Sequence, residues 1–86
     1  MMHEVLVVWK PKALAKLADI WLEAKNRDSV NEAVRRIEAF LAHSDVSAGE
    51  DYLEGTRLIV APPLVVVYSI EHDDCRAFVL AVAYRP

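Results

Sequence analysis

The chain has 86 residues, a hydrophobic share of 55% and a formal net charge of −3. This length fits one folded unit, and we predict a single domain over residues 1–86. The one cysteine excludes an internal disulfide. No apolar run reaches the ~20 residues that cross a bilayer, and the first residues lack the pattern of a secretion signal. We therefore expect a cytoplasmic protein without a membrane-spanning segment.

The charges are distributed unevenly along the chain. Residues 1–43 contain seven Lys or Arg and six acidic residues, whereas residues 44–86 contain three Arg and seven acidic residues, a net charge of −4. Proteins that bind nucleic acid derive most of their affinity from Lys and Arg contacts to phosphates. We therefore expect no direct binding to nucleic acid.

The first half of the chain predicts one strand and two helices. Residues 4–9 are rich in β-branched and aromatic side chains, which indicates a strand, and Pro11 suits the first turn of a following helix. Ser29 and Glu32 have capping-box spacing at the start of a second helix, whose apolar stripe extends over residues 30–41. In the first helix, the stripe expected to cover a sheet consists of Leu14, Leu17, Ala18, Trp21 and Leu22.

The last third of the chain predicts three strands in direct succession, at residues 57–61, 64–70 and 76–84. Two prolines separate the first two strands, and the polar residues 71–75 separate the last two. Such short connections favour an antiparallel meander. We therefore predict an α+β fold of β-α-α-β-β-β order, with a helical hairpin packed on one face of a four-stranded antiparallel sheet. The first strand is expected at an edge, beside the last strand.

The last two predicted strands carry apolar side chains on both faces. A helical hairpin covers only one face of such a sheet. A contiguous apolar patch larger than a few hundred Å2 is unusual on a soluble monomer. We therefore predict that the helix-free face binds a protein partner through Val65, Val67 and Ala81. A second copy of the chain, forming a homodimer, is one candidate for that partner.

Several segments also carry a resemblance to a known family. They are Trp9 to Ala13 followed by Leu17, Ile20 and Trp21; Ile37 and Leu41 followed by Gly49; Gly55-Thr56-Arg57-Leu58; and the run from Pro63 to Ile70. In this order and spacing they resemble the RelE/ParE superfamily, the toxins of bacterial type II toxin–antitoxin systems, also called plasmid stabilization systems. The resemblance implies a toxin that is wrapped and held inactive by a small antitoxin protein.

The resemblance implies two modes of action within the superfamily. Ribonuclease members cut messenger RNA on the ribosome with arginine, lysine and a C-terminal tyrosine or histidine, whereas other members poison DNA gyrase and are not nucleases. In this chain the matching candidate catalytic residues are Arg57, Tyr84 and Arg85.

Two departures weigh against the nuclease mode. Val65 stands where family nucleases usually have an arginine, and no lysine follows Lys25. RNA cleavage needs cationic groups to stabilise the charge that develops on the phosphate. We therefore favour a toxin that acts mainly by protein binding. The alternatives are a divergent ribosome-dependent endoribonuclease and a degenerate, non-toxic member that only binds other proteins.

Structural roles compete with several of these assignments. Arg57 could pair with Glu54 or Glu50, and the Tyr84 ring could pack at the end of the last strand. Residues 72–75, His-Asp-Asp-Cys, include metal-ligand types, but a zinc site needs a second pair of ligands at suitable spacing. Two glycines are too few for a phosphate-binding loop. We predict neither a metal site nor a cofactor.

Overall fold

The computed structural model of the protein describes residues 5–43, 50–71 and 76–85. Residues 72–75, with the candidate metal ligands discussed above, lie outside the described residues. The elements in chain order are β1 (Leu6–Trp9), α1 (Pro11–Glu23), α2 (Arg27–His43), β2 (Glu50–Asp51), β3 (Arg57–Ala61), β4 (Leu64–Glu71) and β5 (Arg76–Tyr84).

The five strands form one sheet in the order β1-β5-β4-β3-β2. Both helices pack on the same face of this sheet, where their buried side chains join those of the central strands in a single core. The predicted α+β class, the helical hairpin and the edge position of β1 beside β5 are confirmed.

The prediction of a purely antiparallel sheet is wrong for β1. This strand runs parallel to β5, and Val8 and Phe78 are register partners, so the sheet is mixed. Connections of only two and four residues force β3, β4 and β5 to alternate in direction, but β1 is joined to the sheet through two helices. A crossover of that length allows a parallel pair.

The predicted loop between α2 and β3 contains the short strand β2. Its two residues pair with the start of β3. A β-turn joins the two strands, in which the Thr56 amide donates a hydrogen bond of 2.8 Å to the Leu53 carbonyl oxygen. Gly55 has a φ of +77°, a left-handed conformation that favours glycine. A two-residue strand is too short to give a recognisable alternation in sequence.

The first helix turns a different face to the sheet from the one predicted. Ala13 and Ile20 are buried and Leu17 packs against the core. Leu14 and Leu22, by contrast, are 53% and 63% exposed. Apolar side chains cover more than half of the circumference of α1, so the sequence alone does not show which part of this arc meets the sheet.

The second helix packs as predicted but begins earlier. Its buried stripe consists of Val30, Ala33, Ile37 and Leu41. The helix starts at Arg27, and the Asn26 side-chain oxygen accepts a hydrogen bond of 3.1 Å from the Ser29 amide. Asn26 is therefore the N-cap, and the predicted capping role of Ser29 is wrong. Within the described part of the chain, neither α1 nor α2 is long and apolar enough to cross a membrane.

Replacing Asn26 by alanine is expected to lower the free energy of unfolding by about 1 kcal/mol, because the Ser29 amide loses its acceptor. Urea unfolding monitored by circular dichroism measures this change. Ser29→Ala is the matched control and is expected to change stability less. A larger loss for Ser29→Ala than for Asn26→Ala would return the capping role to Ser29.

A β-bulge between β4 and β5 changes which side chains face the helices. Val67 pairs with Ala81 and Tyr68 pairs with Val79, so Leu80 has no partner on β4. The extra residue shifts the alternation of β5 by one position. Val82 is consequently buried along with Val79, although strict alternation predicts that they point in opposite directions.

Candidate functional site

The side of the sheet opposite the helices presents a broad apolar surface, here called the open face. Its side chains are half-buried to exposed, and the outermost, Leu6 and Val60, are 60% and 59% exposed. The open face comprises Leu6 and Val8 on β1, Phe78, Ala81 and Ala83 on β5, Val65 and Val67 on β4, and Leu58 and Val60 on β3.

Strand register organises the centre of the open face into two rows. Leu58, Val67 and Ala81 form one row, because Val67 pairs with the other two from opposite sides. Val60, Val65 and Ala83 form the next row in the same way. The side chains of cross-strand partners point to the same side of a sheet. The predicted partner-binding residues Val65, Val67 and Ala81 are thus brought together.

The β1 side of the open face carries positive charge. The Lys10 ammonium lies 4.6 Å from the centroid of the Phe78 ring, a cation–π contact. Arg76 is exposed and is the register partner of Leu6. The open face therefore combines an apolar centre with a cationic edge. Such a surface suits an apolar protein segment that also carries an acidic residue.

The candidate catalytic residues are not brought together. Arg57 pairs with Tyr68 just beyond the middle of β4, whereas Tyr84 pairs with Leu64, the first residue of β4. Tyr68 lies four positions after Leu64, which corresponds to about 13 Å along the strand. The backbone of Arg85 lies at the Tyr84 end, where its amide donates a hydrogen bond of 2.6 Å to the Pro63 carbonyl oxygen.

Arg57 lies on the helix side of the sheet, since its register partner Tyr68 is fully buried there. Arg57 itself is half-buried and lines an open pocket of about 450 Å3 together with Glu54, Thr56 and Ile70. Tyr84 and Arg85 are exposed. This arrangement offers no cluster of cations around one point within the described residues.

Metal binding finds no structural support in the described ranges 5–43, 50–71 and 76–85. They contain no group of three or more His, Cys, Asp or Glu that could hold a metal ion. The side chains of the open face itself offer apolar contact, flanked by the cations Lys10 and Arg76.

Sequence reasoning missed several residues of this site. Leu58 and Val60 are the register partners of Val67 and Val65. Alternation within β3 predicts that both face away from the helices once Ile59 is placed against the core. Lys10 has no such signal, because the sequence does not show that its side chain reaches Phe78 across the sheet.

Several solved structures from bacterial toxin–antitoxin systems have the same fold as this chain. The toxin–antitoxin complex RelBE2 from Mycobacterium tuberculosis contains a chain with a TM-score of 0.77 and 17% identity, covering 99% of this chain and 95% of that chain. The chromosomal ParDE system from P. aeruginosa contains a chain with a TM-score of 0.68 and 16% identity, covering 99% of this chain and 100% of that chain. The isolated E. coli RelE toxin has a TM-score of 0.58 and 13% identity, covering 95% of this chain and 85% of that chain.

The family itself follows from the sequence match. Residues 7–85 match the family described as "ParE toxin of type II toxin-antitoxin system, parDE". The chain therefore belongs to the ParE toxin family, and the resemblance described above is confirmed. No curated protein matches the chain closely enough to count as a relative.

Proposed function

We propose that this ParE-type toxin acts by protein binding in the cytoplasm and is neutralised by an antitoxin that covers the open face. The single observation that carries the proposal is the pair of apolar rows across β3, β4 and β5. Two of the similar structures are toxin–antitoxin systems, which supports an antitoxin as the partner. Burial of apolar surface is the main driving force for such association.

The charge and geometry of the candidate catalytic residues favour binding over catalysis. Arg57 and Tyr84 lie about 13 Å apart along β4. According to the resemblance, Val65 stands where family nucleases usually have an arginine. Each missing charge-stabilising donor typically lowers a rate by on the order of 100- to 1000-fold. An enzyme that lacks two such groups would turn over too slowly to arrest a cell.

Gyrase and the ribosome are the two candidate targets. Non-nuclease members of the superfamily poison gyrase, according to the resemblance described above, so gyrase fits a toxin without nuclease chemistry. The ribosome remains the target for the ribonuclease alternative. A homodimer through the open face is a further candidate, in which a second copy takes the place of the antitoxin.

Expression in a bacterial host separates the two modes of action. We expect growth arrest without cleavage of messenger RNA at the ribosomal A site, as measured by mapping of message 5′ ends. With purified components, the parallel measurement is whether the toxin inhibits the supercoiling of DNA by gyrase. Arg57→Ala and Tyr84→Phe are expected to leave the pattern of message ends unchanged.

The ribonuclease alternative makes the opposite prediction. Cleaved messages that disappear in both the Arg57→Ala and the Tyr84→Phe variants would overturn the binding mode. A chain that binds the antitoxin tightly but does not arrest growth at high expression would instead identify a degenerate, non-toxic family member.

A further inference from the structure

The central row of the open face ends in opposite charges. Its apolar part consists of Ala81 on β5, Val67 on β4 and Leu58 on β3. On the β2 side, Glu50 is the register partner of Leu58, so its side chain points to the open face as well. Glu50 is exposed. On the β1 side the row ends at Lys10, which is also exposed.

Lys10 directly follows β1 and continues its pairing with β5. The Lys10 amide donates a hydrogen bond of 2.9 Å to the Val79 carbonyl oxygen, which sets Lys10 level with the bulge that precedes Ala81. Val8 faces the open side with its register partner Phe78, and alternation places Lys10 on that side too. The cation–π contact between the Lys10 ammonium and the Phe78 ring agrees with this placement.

Neither charge at the ends of the row is neutralised by a neighbour. Within the described part of the chain, Lys10 and Glu50 form no ion pair. Four strand spacings separate them, about 19 Å, which exceeds the Debye length of about 8 Å at physiological salt. Arg76, the second cation on the β1 side, differs, because its register partner Glu71 is acidic and offsets its charge. The two end charges of the row are therefore available to a partner.

We propose that the antitoxin segment on the open face crosses the strands in one direction, which these two end charges select. The segment places an acidic side chain at Lys10, apolar side chains over the row centred on Val67, and a basic side chain at Glu50. The inference rests on the proposed function, from which it takes the open face as the antitoxin site. It adds the chemistry of the segment and its direction.

The charges and the apolar side chains of the row have different effects on binding. Burial of Ala81, Val67 and Leu58 contributes affinity, but these small aliphatic side chains distinguish poorly between the two directions of an apolar segment. A reversed segment would place its acid beside Glu50 and its base beside Lys10. Like charges brought together at an interface cost binding free energy and exclude wrong alignments. Lys10 and Glu50 are thus specificity-determining residues of the site.

A second copy of the chain fits this row less well than an antitoxin segment. Two stacked copies could also bring the Lys10 end of one row to the Glu50 end of the other. The open face, however, is about 19 Å wide and about 23 Å long at β5, an area on the order of 400 Å2. A stable interface of standard size needs about 800 Å2 from each partner. A segment that crosses the open face can continue onto neighbouring surfaces and bury more.

Charge reversal at each end of the row tests the proposal. Lys10→Glu and Glu50→Lys are each expected to weaken antitoxin binding by about 10-fold, because each replaces attraction with repulsion at an exposed site. The two variants change the net charge in opposite directions. A partner that responds only to net charge would therefore bind one variant more tightly and the other more weakly. Isothermal calorimetry of each variant with the antitoxin measures both changes, and added salt is expected to reduce them.

A compensating change in the antitoxin is the second measurement. Replacing the acidic residue that meets Lys10 by lysine is expected to restore binding to the Lys10→Glu toxin and to leave the Glu50→Lys toxin weak. A scan of the acidic residues of the antitoxin finds this position. A scan in which no replacement restores binding to Lys10→Glu would overturn the proposal.

Lys16→Glu and Glu38→Lys are the matched controls, because they make the same charge changes at exposed positions of the helices. Both are expected to bind the antitoxin like the unaltered toxin, and circular dichroism checks that all variants are folded. Opposite effects of Lys10→Glu and Glu50→Lys would overturn the proposal. A dimer of the free toxin that both reversals abolish, with antitoxin binding unchanged, would assign the row to a second copy instead.

Val67→Lys separates failure of this inference from failure of the proposed function. If Val67→Lys weakens antitoxin binding but neither Lys10→Glu nor Glu50→Lys does, the open face is the antitoxin site and the proposed direction is wrong. If Val67→Lys binds like the unaltered toxin, the antitoxin lies elsewhere and the proposed function is wrong as well.

Discussion

Val67→Lys is expected to weaken the complex with the antitoxin by on the order of 100-fold or more, because a lysine placed at the centre of the open face must lose its hydration when the partner binds. Val67 occupies the middle of the row between Leu58 and Ala81. Interface residues at such central, desolvated positions carry most of the binding free energy. Isothermal calorimetry with the antitoxin measures the change.

The free toxin should tolerate this substitution. Val67 is only half-buried, so a lysine stem can lie along the sheet while its ammonium reaches water. Ala39→Lys, at an exposed position of α2, is the matched control, since it adds the same charge away from the open face. Equal affinities for Val67→Lys and Ala39→Lys would show that the antitoxin binds elsewhere.

Ile37→Ala is expected to lower the free energy of unfolding by about 2–5 kcal/mol, because it leaves a cavity where a fully buried side chain stood. Ile37 is 0% exposed at the centre of the α2 stripe. For a domain of this size each 1 kcal/mol corresponds to about 4–8 °C in Tm. A fall of roughly 10 °C or more in thermal unfolding is therefore the expected result.

Leu14→Ala tests the orientation of α1, for which the sequence-based prediction and the structure differ. The predicted stripe places Leu14 in the core, whereas the structure leaves it half-exposed on the outer side of the helix. The substitution is expected to cost less than 1 kcal/mol, as is usual for surface positions. A loss comparable to that of Ile37→Ala would contradict the observed orientation of α1.

The parts of the fold that the sequence predicts correctly are those with a local signal. Strands β3 and β5 begin and end at the predicted residues, because prolines and polar segments interrupt the chain there. The buried stripe of α2 is correct because its apolar residues occupy a single narrow face. Patterns confined to one element are sufficient for such assignments.

The errors arise where a distant contact decides the outcome. The direction of β1 depends on how two helices return the chain to β5, which no local pattern specifies. The orientation of α1 depends on which part of a wide apolar arc meets the sheet. One further error is local: both Asn26 and Ser29 are good N-caps, and the hydrogen bond that the Asn26 side chain accepts from the Ser29 amide decides between them.

The site residues also divide into those that a local pattern predicts and those whose position depends on contacts elsewhere in the fold. Alternation within β4 is sufficient to place Val65 and Val67 on the helix-free side. Ala81 joins them only because the bulge at Leu80 shifts the rest of β5, and sequence alternation does not reveal a bulge. The separation of Arg57 from Tyr84 likewise depends on the register of three strands. Motif resemblance alone therefore groups residues that the fold holds apart.

Methyl NMR of the toxin in complex with its antitoxin tests most directly the claim that the open face is the site of neutralisation. The account predicts intermolecular nuclear Overhauser effects from antitoxin side chains to the methyl groups of Leu58, Val65 and Val67. Effects confined to Leu14 and Leu22 on the outer side of α1, with the open-face methyl groups unchanged, would contradict it.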